Sequence, residues 1–205
     1  SWRQLKLGAG RTRDDIKIAL KAGLDFVELD GLQGGTGAGA SEVLEYVGIP
    51  TLAAIMEATD GLEEIDARGQ LPIVLMGGIQ NGVDAAKAIA LGATAVGLGT
   101  SMLIAAGCIG CMQCSTGRCP VGIATQDPHL VEKFDVESKA VRMHRYLESI
   151  RWQLAAVVHA LGYSEVGQLN RDDLVALTPE AAAMTRLPYA PEVREQLLRS
   201  FPESG

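Results

Sequence analysis

Short apolar runs alternate with longer amphipathic stretches over the first half of the chain. The apolar runs predict buried strands and lie at 5–7, 25–29, 72–76 and 95–98. Helical spacing of the apolar positions between them predicts helices over 12–22, 52–68 and 82–91, and another beginning near Thr100. Repeated strand–helix units with apolar strands predict the α/β class, with helices covering a parallel sheet.

Two α/β architectures fit four such units: half of an eight-fold (β/α)8 TIM barrel, or a small doubly wound sheet. Glycine-rich segments follow three of the predicted strands, as expected for barrel strands whose carboxyl ends carry the functional loops. The chain also opens almost directly on a strand. We therefore expect residues 1–106 to form the C-terminal half of a barrel, as a fragment or a split subunit.

The pattern changes after residue 106. Residues 107–128 are rich in Cys, Gly and Pro, which predicts a loop without regular structure. Residues 129–205 are predicted to be a helical C-terminal region, with one long amphipathic helix over 136–161. Within this region we expect helix starts at Asn170 and at Thr178, which Pro179 follows at the first helical position, and one short helix in the tail after residue 188.

The composition limits the class of protein. Hydrophobic residues make up 47% and charged residues 21%, which is typical of a folded globular domain. No apolar run reaches the roughly 18–20 residues of a membrane span, and the N-terminal segment does not resemble a secretory signal. A net charge of −7 without any Lys/Arg block argues against nucleic acid or an anionic membrane as a partner.

All four cysteines lie within one short segment, at Cys108, Cys111, Cys114 and Cys119. Two successive C-x-x-C steps and a fourth cysteine directly before a proline are typical of iron–sulfur clusters. A zinc site is the alternative, although zinc thiolates more often come as two separated pairs, and unliganded thiols are a third interpretation. Because such clustering does not form a disulfide framework, it also predicts a reducing, cytoplasmic location.

Two further motifs each follow a strand and lead towards a helix. Gly77-Gly78 follows the third strand and Gly99-Thr100 the fourth, with the hydroxyls of Thr100 and Ser101 available for a ligand. In a barrel, the last two such loops bind phosphate through backbone N–H groups, so together they predict a phosphate site. Each motif taken alone is equally typical of a tight turn.

A third glycine-rich segment, Gly34-Gly35-Thr36-Gly37, follows the second strand. It lacks the Gly-Lys-Ser/Thr ending of a Walker loop and the spacing of the dinucleotide fingerprint. We interpret Gly34, Gly35 and Thr36 as a lid or an anion nest over a planar ligand. A plain connecting loop is the alternative.

Charged residues also occur in the predicted strands. Lys6 lies between Leu5 and Leu7, where its ammonium is expected either to face a substrate carboxylate or an electron-rich ring, or to lie at a frayed, exposed strand end. Asp30, at the end of the second strand, is likewise expected either to point into a site or to lie at an exposed strand end. Glu28 is the better candidate for a structural acid.

Together these motifs resemble the flavin domain of glutamate synthase, including its short, archaeal-type members and related glutamate-synthase-like subunits. The matching strings are Leu-Lys-Leu at 5–7, Asp-Gly-Leu-Gln-Gly-Gly-Thr-Gly-Ala at 30–38, Gly-Gly-Ile at 77–79 and Cys-Pro-Val-Gly-Ile-Ala-Thr-Gln at 119–126. The last string is highly specific. The resemblance runs from Lys6 to about Gln126 and continues more weakly to Ala190.

The resemblance implies an FMN-dependent barrel beside an iron–sulfur cluster. In that family, electrons pass from ferredoxin or an NAD(P)H-oxidising subunit through the cluster to FMN. The reduced flavin converts 2-iminoglutarate, formed from 2-oxoglutarate and free or glutamine-derived ammonia, to L-glutamate. By the same resemblance, Lys6 is the catalytic lysine near flavin and oxoacid, and Gly77, Gly78, Gly99 and Thr100 bind the FMN phosphate.

Departures from the family pattern refine this picture. Cys108, Cys114 and Cys119 reproduce the three ligands of a 3Fe–4S cluster, whereas the additional Cys111 favours a 4Fe–4S cluster. Gln33 stands where the large enzymes carry an acid. The first half of the barrel and the glutaminase segment are not part of this sequence, so we expect them in another chain or to be missing.

Two alternative functions stay open at this stage. The first is an electron-transfer or structural subunit of a glutamate-synthase-like complex, without a complete flavin site. The second is an IMP dehydrogenase-like barrel, which shares the Gly-Gly-Ile and Leu-Gly-Thr loops. Such a barrel carries its catalytic cysteine in a loop after an earlier strand, and residues 31–41 contain no cysteine.

Overall fold

Four parallel strands form a single sheet in the computed structural model, which describes residues 2–32 and 41–200. The strands lie side by side in chain order: β1 (Gln4–Gly8), β2 (Phe26–Asp30), β3 (Ile73–Met76) and β4 (Ala95–Val96). A doubly wound sheet reverses its strand order at a switch point, whereas a barrel keeps the sequential order. The sheet therefore has the topology of four consecutive barrel units.

The helices follow the strands and then continue alone. They are α1 (Thr12–Lys21), α2 (Ser41–Tyr46), α3 (Thr51–Glu63), α4 (Gly82–Ala90), α5 (Thr100–Ala105), α6 (Pro128–Val131), α7 (Val136–Ala160), α8 (Pro179–Thr185) and α9 (Ala190–Ser200). Short 3-10 turns cover Cys114–Thr116, Val166–Gln168 and Arg171–Asp173. None of the helices in the described ranges has both the length and the apolar character that a membrane span requires.

Most predicted elements are confirmed to within a residue or two, and two predicted helices need correction. The helix predicted to reach residue 68 ends at Glu63, and Asp66 just beyond it has a left-handed φ of 52°. The helix predicted from Asn170 is a single 3-10 turn: Asn170 and Asp173 cap each other's backbone N–H groups as at a helix start, but the backbone is already extended at Leu174 and ends the turn. Helices α2 and α6 were not predicted, and the segment 107–128, predicted to lack regular structure, contains the 3-10 turn Cys114–Thr116.

The two faces of the sheet differ in chemistry. Val27 and Leu29 of β2 are fully buried against the helices, together with Ile16 of α1 and Ile55 of α3. Because side chains alternate along a strand, Glu28 and Asp30 belong to the opposite face of β2, which corresponds to the interior of a barrel. The helix-facing side thus forms the core, and the charged residues are left on the side where barrels bind ligands.

An ionic network fixes α1 and the chain after α8 to α3. Arg13 contacts Glu57 and Asp60, both at 2.8 Å, and Arg186 contacts Asp60 at 2.6 Å. Lys17 pairs with Glu64, and this hydrogen bond is the main reason that the pKa of Glu64 lies below its ordinary value. These contacts join the outer helices on the side of the sheet away from the charged face.

Candidate functional site

A pocket of about 630 Å³ opens at the carboxyl ends of the strands. Four parts of the chain line it: the strand residues Lys6 and Asp30, the segment 76–80 after β3, residues 97, 99–101 and 104 around the start of α5, and Tyr146 of α7. Carboxyl ends of parallel strands are where α/β sheets and barrels bind their ligands. The volume is within the range of small-molecule sites.

The pocket brings together most residues that the sequence singled out for the flavin site. Lys6, Gly77, Gly78, Gly99 and Thr100 all line it, although Lys6 comes from within β1 and the others from the loops after β3 and β4. Their convergence supports the prediction of one shared site. The remaining predicted residues, Gly34, Gly35 and Thr36, lie outside the described residues.

Lys6 forms an ion pair with Asp30 at the wall of this pocket. The distance from Lys6 Nζ to Asp30 Oδ2 is 2.9 Å, and the lysine side chain is half exposed whereas that of Asp30 is only 10% exposed. Asp30 Oδ1 is buried and has no hydrogen-bond partner within the described ranges. Since Lys6 is paired with Glu28 in the β1–β2 register, it lies within the strand and not at a frayed end.

The loop after β3 requires glycine at its first position. Gly77 and Gly78 have φ values of 100° and 76°, a region that favours glycine. The hydroxyl of Thr51 donates a hydrogen bond to the carbonyl oxygen of Gly77 at 2.9 Å. A Cβ on Gly77 would lie 2.7 Å from Thr51 Oγ1 and 3.1 Å from Gly31 N. The N-terminus of α3 therefore fixes the backbone of this loop.

The loop after β4 approaches the same point from the other side. A Cβ on Gly97 would lie 2.6 Å from the Met76 side chain, whereas a Cβ on Gly99 would meet no atom within 4 Å. Gly99 therefore leaves space in the pocket, while Gly97 permits close packing against β3. The hydroxyl of Ser101, which the sequence offered to a ligand, instead donates to the carbonyl oxygen of Ile79 at 3.1 Å.

Helix α7 supplies contacts that sequence reasoning missed. The hydroxyl of Tyr146 donates to the carbonyl oxygen of Gln80 at 2.7 Å, and Gln153 Oε1 accepts a hydrogen bond from the N–H of Gly82 at 2.9 Å. A tyrosine and a glutamine on an amphipathic helix give no signal of this role in the sequence. Both contacts hold the segment between β3 and α4, which forms part of the pocket wall.

The cysteine segment contains many turns. Gly110 and Gly117 have positive φ, as does Met112, and the N–H of Gly110 donates to the Cys108 sulfur at 3.4 Å. Cys119 is buried, and a backbone hydrogen bond from Ala124, with smaller contributions from the three preceding N–H groups, lowers the pKa of its thiol. These features suit a thiolate that binds iron.

The four thiols are nevertheless not gathered around one point. Within the described residues, no three Cys, His, Asp or Glu side chains form a group that could hold a metal ion. The donor set fits an iron–sulfur cluster, whereas the positions of the side chains do not. Metal binding by Cys108, Cys111, Cys114 and Cys119 therefore stays a prediction.

Comparison with known proteins decides the family. The family model described as a conserved region in glutamate synthase matches residues 4–164. The chain belongs to the glutamate synthase family. This membership favours the glutamate synthase resemblance over the IMP dehydrogenase-like alternative.

Relatives within the family cover much of this chain. A glutamate synthase large subunit-like protein of Rhizobium meliloti is 38% identical over 202 residues, which cover 91% of this chain and 46% of that protein. The archaeal-type glutamate synthase (NADPH) of Thermotoga neapolitana is 40% identical over 157 residues, covering 76% of this chain and 31% of that protein. The chain thus spans less than half the length of these relatives.

Solved structures show the same fold. The recombinant flavin-binding domain of baker's yeast flavocytochrome b2 aligns with a TM-score of 0.56 and 18% identity, covering 98% of this chain and 40% of that one. A mutant of (S)-mandelate dehydrogenase aligns with a TM-score of 0.52 and 17% identity, covering 82% and 35%. The likeness, together with the sheet order, confirms the expected partial (β/α)8 barrel.

Proposed function

We propose that this chain carries the FMN and iron–sulfur portion of a glutamate synthase-type oxidoreductase. The observation that carries the proposal is the convergence of Lys6 and both glycine loops on one pocket, in a chain of this family. The reaction is the reduction of 2-iminoglutarate, derived from 2-oxoglutarate and ammonia, to L-glutamate. The flavin named for the structural neighbour supports FMN as the cofactor.

The pocket residues fit a flavin nucleotide. The backbone N–H groups of the Gly77-Gly78 and Gly99-Thr100 loops would receive the phosphate, and the open space over Gly99 leaves room for it. When bound there, FMN supplies the hydride-transfer chemistry that no side chain of the protein can provide. The hydroxyl of Thr100 is a further donor towards the same group.

Lys6 has the chemistry to orient the acidic substrate. Its ammonium has three donor hydrogens, and the contact with Asp30 leaves the others available to a substrate carboxylate or to the flavin ring. Tyr146 lines the same pocket with its hydroxyl committed to Gln80, so its ring is held in place as part of the wall. The remaining barrel units, in another segment or chain, would complete the site.

The electron supply forms the second part of the proposal. We assign Cys108, Cys111, Cys114 and Cys119 as ligands of an iron–sulfur cluster, with 4Fe–4S favoured over 3Fe–4S, and such a cluster would supply one-electron transfer. Ferredoxin or NAD(P)H is the proposed donor, and the relatives named for NADPH support the latter. Because the ligands must be reduced thiols, the cytoplasm is the proposed location.

The decisive experiment is an anaerobic absorption and EPR spectrum of the purified full-length protein, with acid extraction of the flavin. FMN together with a cluster signal supports the proposal, and the spin state distinguishes three irons from four. A cluster without flavin indicates the electron-transfer subunit instead. Zinc in place of iron, with no flavin, contradicts the whole proposal.

A further inference from the structure

We propose that Asp30 is a positioning residue that holds the ammonium of Lys6 in the pocket and neutralises its charge. This inference rests on the proposed function, because it assigns Lys6 a role at the flavin and substrate. From the sequence, Asp30 was expected at a strand end, either facing a site or exposed, and no partner was assigned to it. The ion pair, its burial and its place in the pocket carry the proposal.

Asp30 is the fixed member of the pair. Its backbone is paired with Gly8 of β1 and with Met76 of β3, and its carbonyl oxygen accepts the N–H of Ala9 at 2.8 Å. Lysine reaches its partner on a flexible four-carbon stem. The 2.9 Å contact therefore fixes the position of the Lys6 ammonium relative to the sheet.

Burial of the Asp30 carboxylate carries an energetic cost. The Asp30 side chain is nine-tenths buried, and its Oδ1 is buried without a hydrogen-bond partner in the parts of the chain that the structure describes. A buried carboxylate oxygen without a protein partner is unfavourable, and it is accounted for either by a functional role or by an ordered water or ion. Lys6 is the counter-charge that makes this carboxylate tolerable.

Neutralisation shapes what the pocket offers to a ligand. Together the two side chains carry no net charge, yet the ammonium keeps donor hydrogens beyond the one directed at Asp30. An oriented hydrogen-bond donor, and not a free cation, then faces the ligand. If the carboxylate is replaced by an amide, the ammonium keeps its charge and loses its fixed position.

The test uses the full-length, FMN-loaded protein with Asp30→Asn, Lys6→Met and the double variant. We expect Asp30→Asn to lower kcat for glutamate formation at least tenfold without raising KM for 2-oxoglutarate, because attraction of the dianion persists while orientation is lost. In the Lys6→Met background, Asp30→Asn should cause no further loss, since Asp30 acts through Lys6.

A second measurement does not depend on turnover. Acetic anhydride labelling of Lys6 in the native protein, followed by mass spectrometry, should be at least threefold faster in Asp30→Asn, because the amine has lost its partner. Glu28→Gln is the matched control: Glu28 belongs to the same strand and sheet face, and it forms no ion pair within the described residues. Its Lys6 labelling rate should stay within twofold of the parent.

Additive losses of kcat in the double variant would overturn the proposal, as would unchanged Lys6 labelling in Asp30→Asn. Failure of the proposed function gives a different result, namely a parent protein without FMN or glutamate formation. In that case the labelling comparison still shows whether Asp30 holds Lys6.

Discussion

The hydroxyl of Ser101 donates a hydrogen bond to the carbonyl oxygen of Ile79 over a distance of 3.1 Å. Ser101 follows β4 and Ile79 follows β3, so this bond joins the two glycine loops that line the pocket. The side chain holds the loops to one another and does not point its hydroxyl at a ligand. The geometry of the proposed phosphate site therefore depends on this contact.

Substitution Ser101→Ala should weaken FMN binding about two- to twelvefold. The expected change follows from the loss of one hydrogen bond worth about 0.5–1.5 kcal/mol, which here is spent on holding the binding geometry. Titration of the flavin-free protein with FMN, followed by fluorescence quenching, measures it. Ser138→Ala is the control, because Ser138 is exposed on α7 and its hydroxyl bonds to none of the described residues. Equal FMN affinity in the two variants would contradict the role assigned to Ser101.

Substitution Gly82→Ala should destabilise the protein by about 1–3 kcal/mol, as overpacking does in a tight interface. A Cβ on Gly82 would lie 2.6 Å from Leu154 N and 2.7 Å from Gln153 Cβ, so α4 and α7 would have to separate. Urea denaturation measures the free energy of unfolding. Gly167→Ala serves as the control, since a Cβ there meets nothing within 4 Å. If Gly82→Ala is as stable as Gly167→Ala, then α4 and α7 leave room for a Cβ at Gly82.

The Lys17–Glu64 pair predicts a pH-dependent contribution to stability. Because the pKa of Glu64 is lowered in the folded state, chiefly by its hydrogen bond with Lys17, its contribution is present above the ordinary glutamate pKa of about 4.3. It is lost as the pH falls through the lowered value. Glu64→Gln should therefore reduce the urea midpoint at pH 7 and reduce it less at pH 3. Glu63→Gln is the control, because Glu63 is exposed and its contact with Arg68 is longer, at 3.6 Å. Equal losses at both pH values would exclude the ion pair as the cause.

Substitution Cys111→Ser tests the proposed cluster type. If four thiolates hold a 4Fe–4S cluster, the remaining three reproduce the spacing of three-iron enzymes, and the variant should show a 3Fe–4S EPR signal with one iron fewer per protein. The Cys119→Ser variant should lose most of its iron, because it removes the one thiol of the four that is buried. Iron content and EPR spectra unchanged in Cys111→Ser would instead mean that Cys111 is not a ligand.

Local patterns in the sequence predicted much of the fold. The apolar runs at β1 to β4 and the amphipathic spacing of α1, α4 and α7 were sufficient, because burial of one helix face or of a whole strand imposes a period on the residues. Thr178 was correctly predicted as a helix cap, and its hydroxyl accepts the N–H of Ala181 at 3.1 Å. At Asn170 the sequence predicted a helix and the structure has a single 3-10 turn, because a cap motif alone does not specify how long a helix continues.

The sequence by itself determined the residue types of the site: a lysine within a strand, glycines after strands, and four cysteines in one segment. Only the tertiary structure decided that Lys6 pairs with Asp30, that Ser101 bonds to Ile79 and that Tyr146 reaches Gln80. Each of these contacts joins elements far apart in the chain. Strand register and helix packing create them, and local periodicity carries no information about which distant residues will meet.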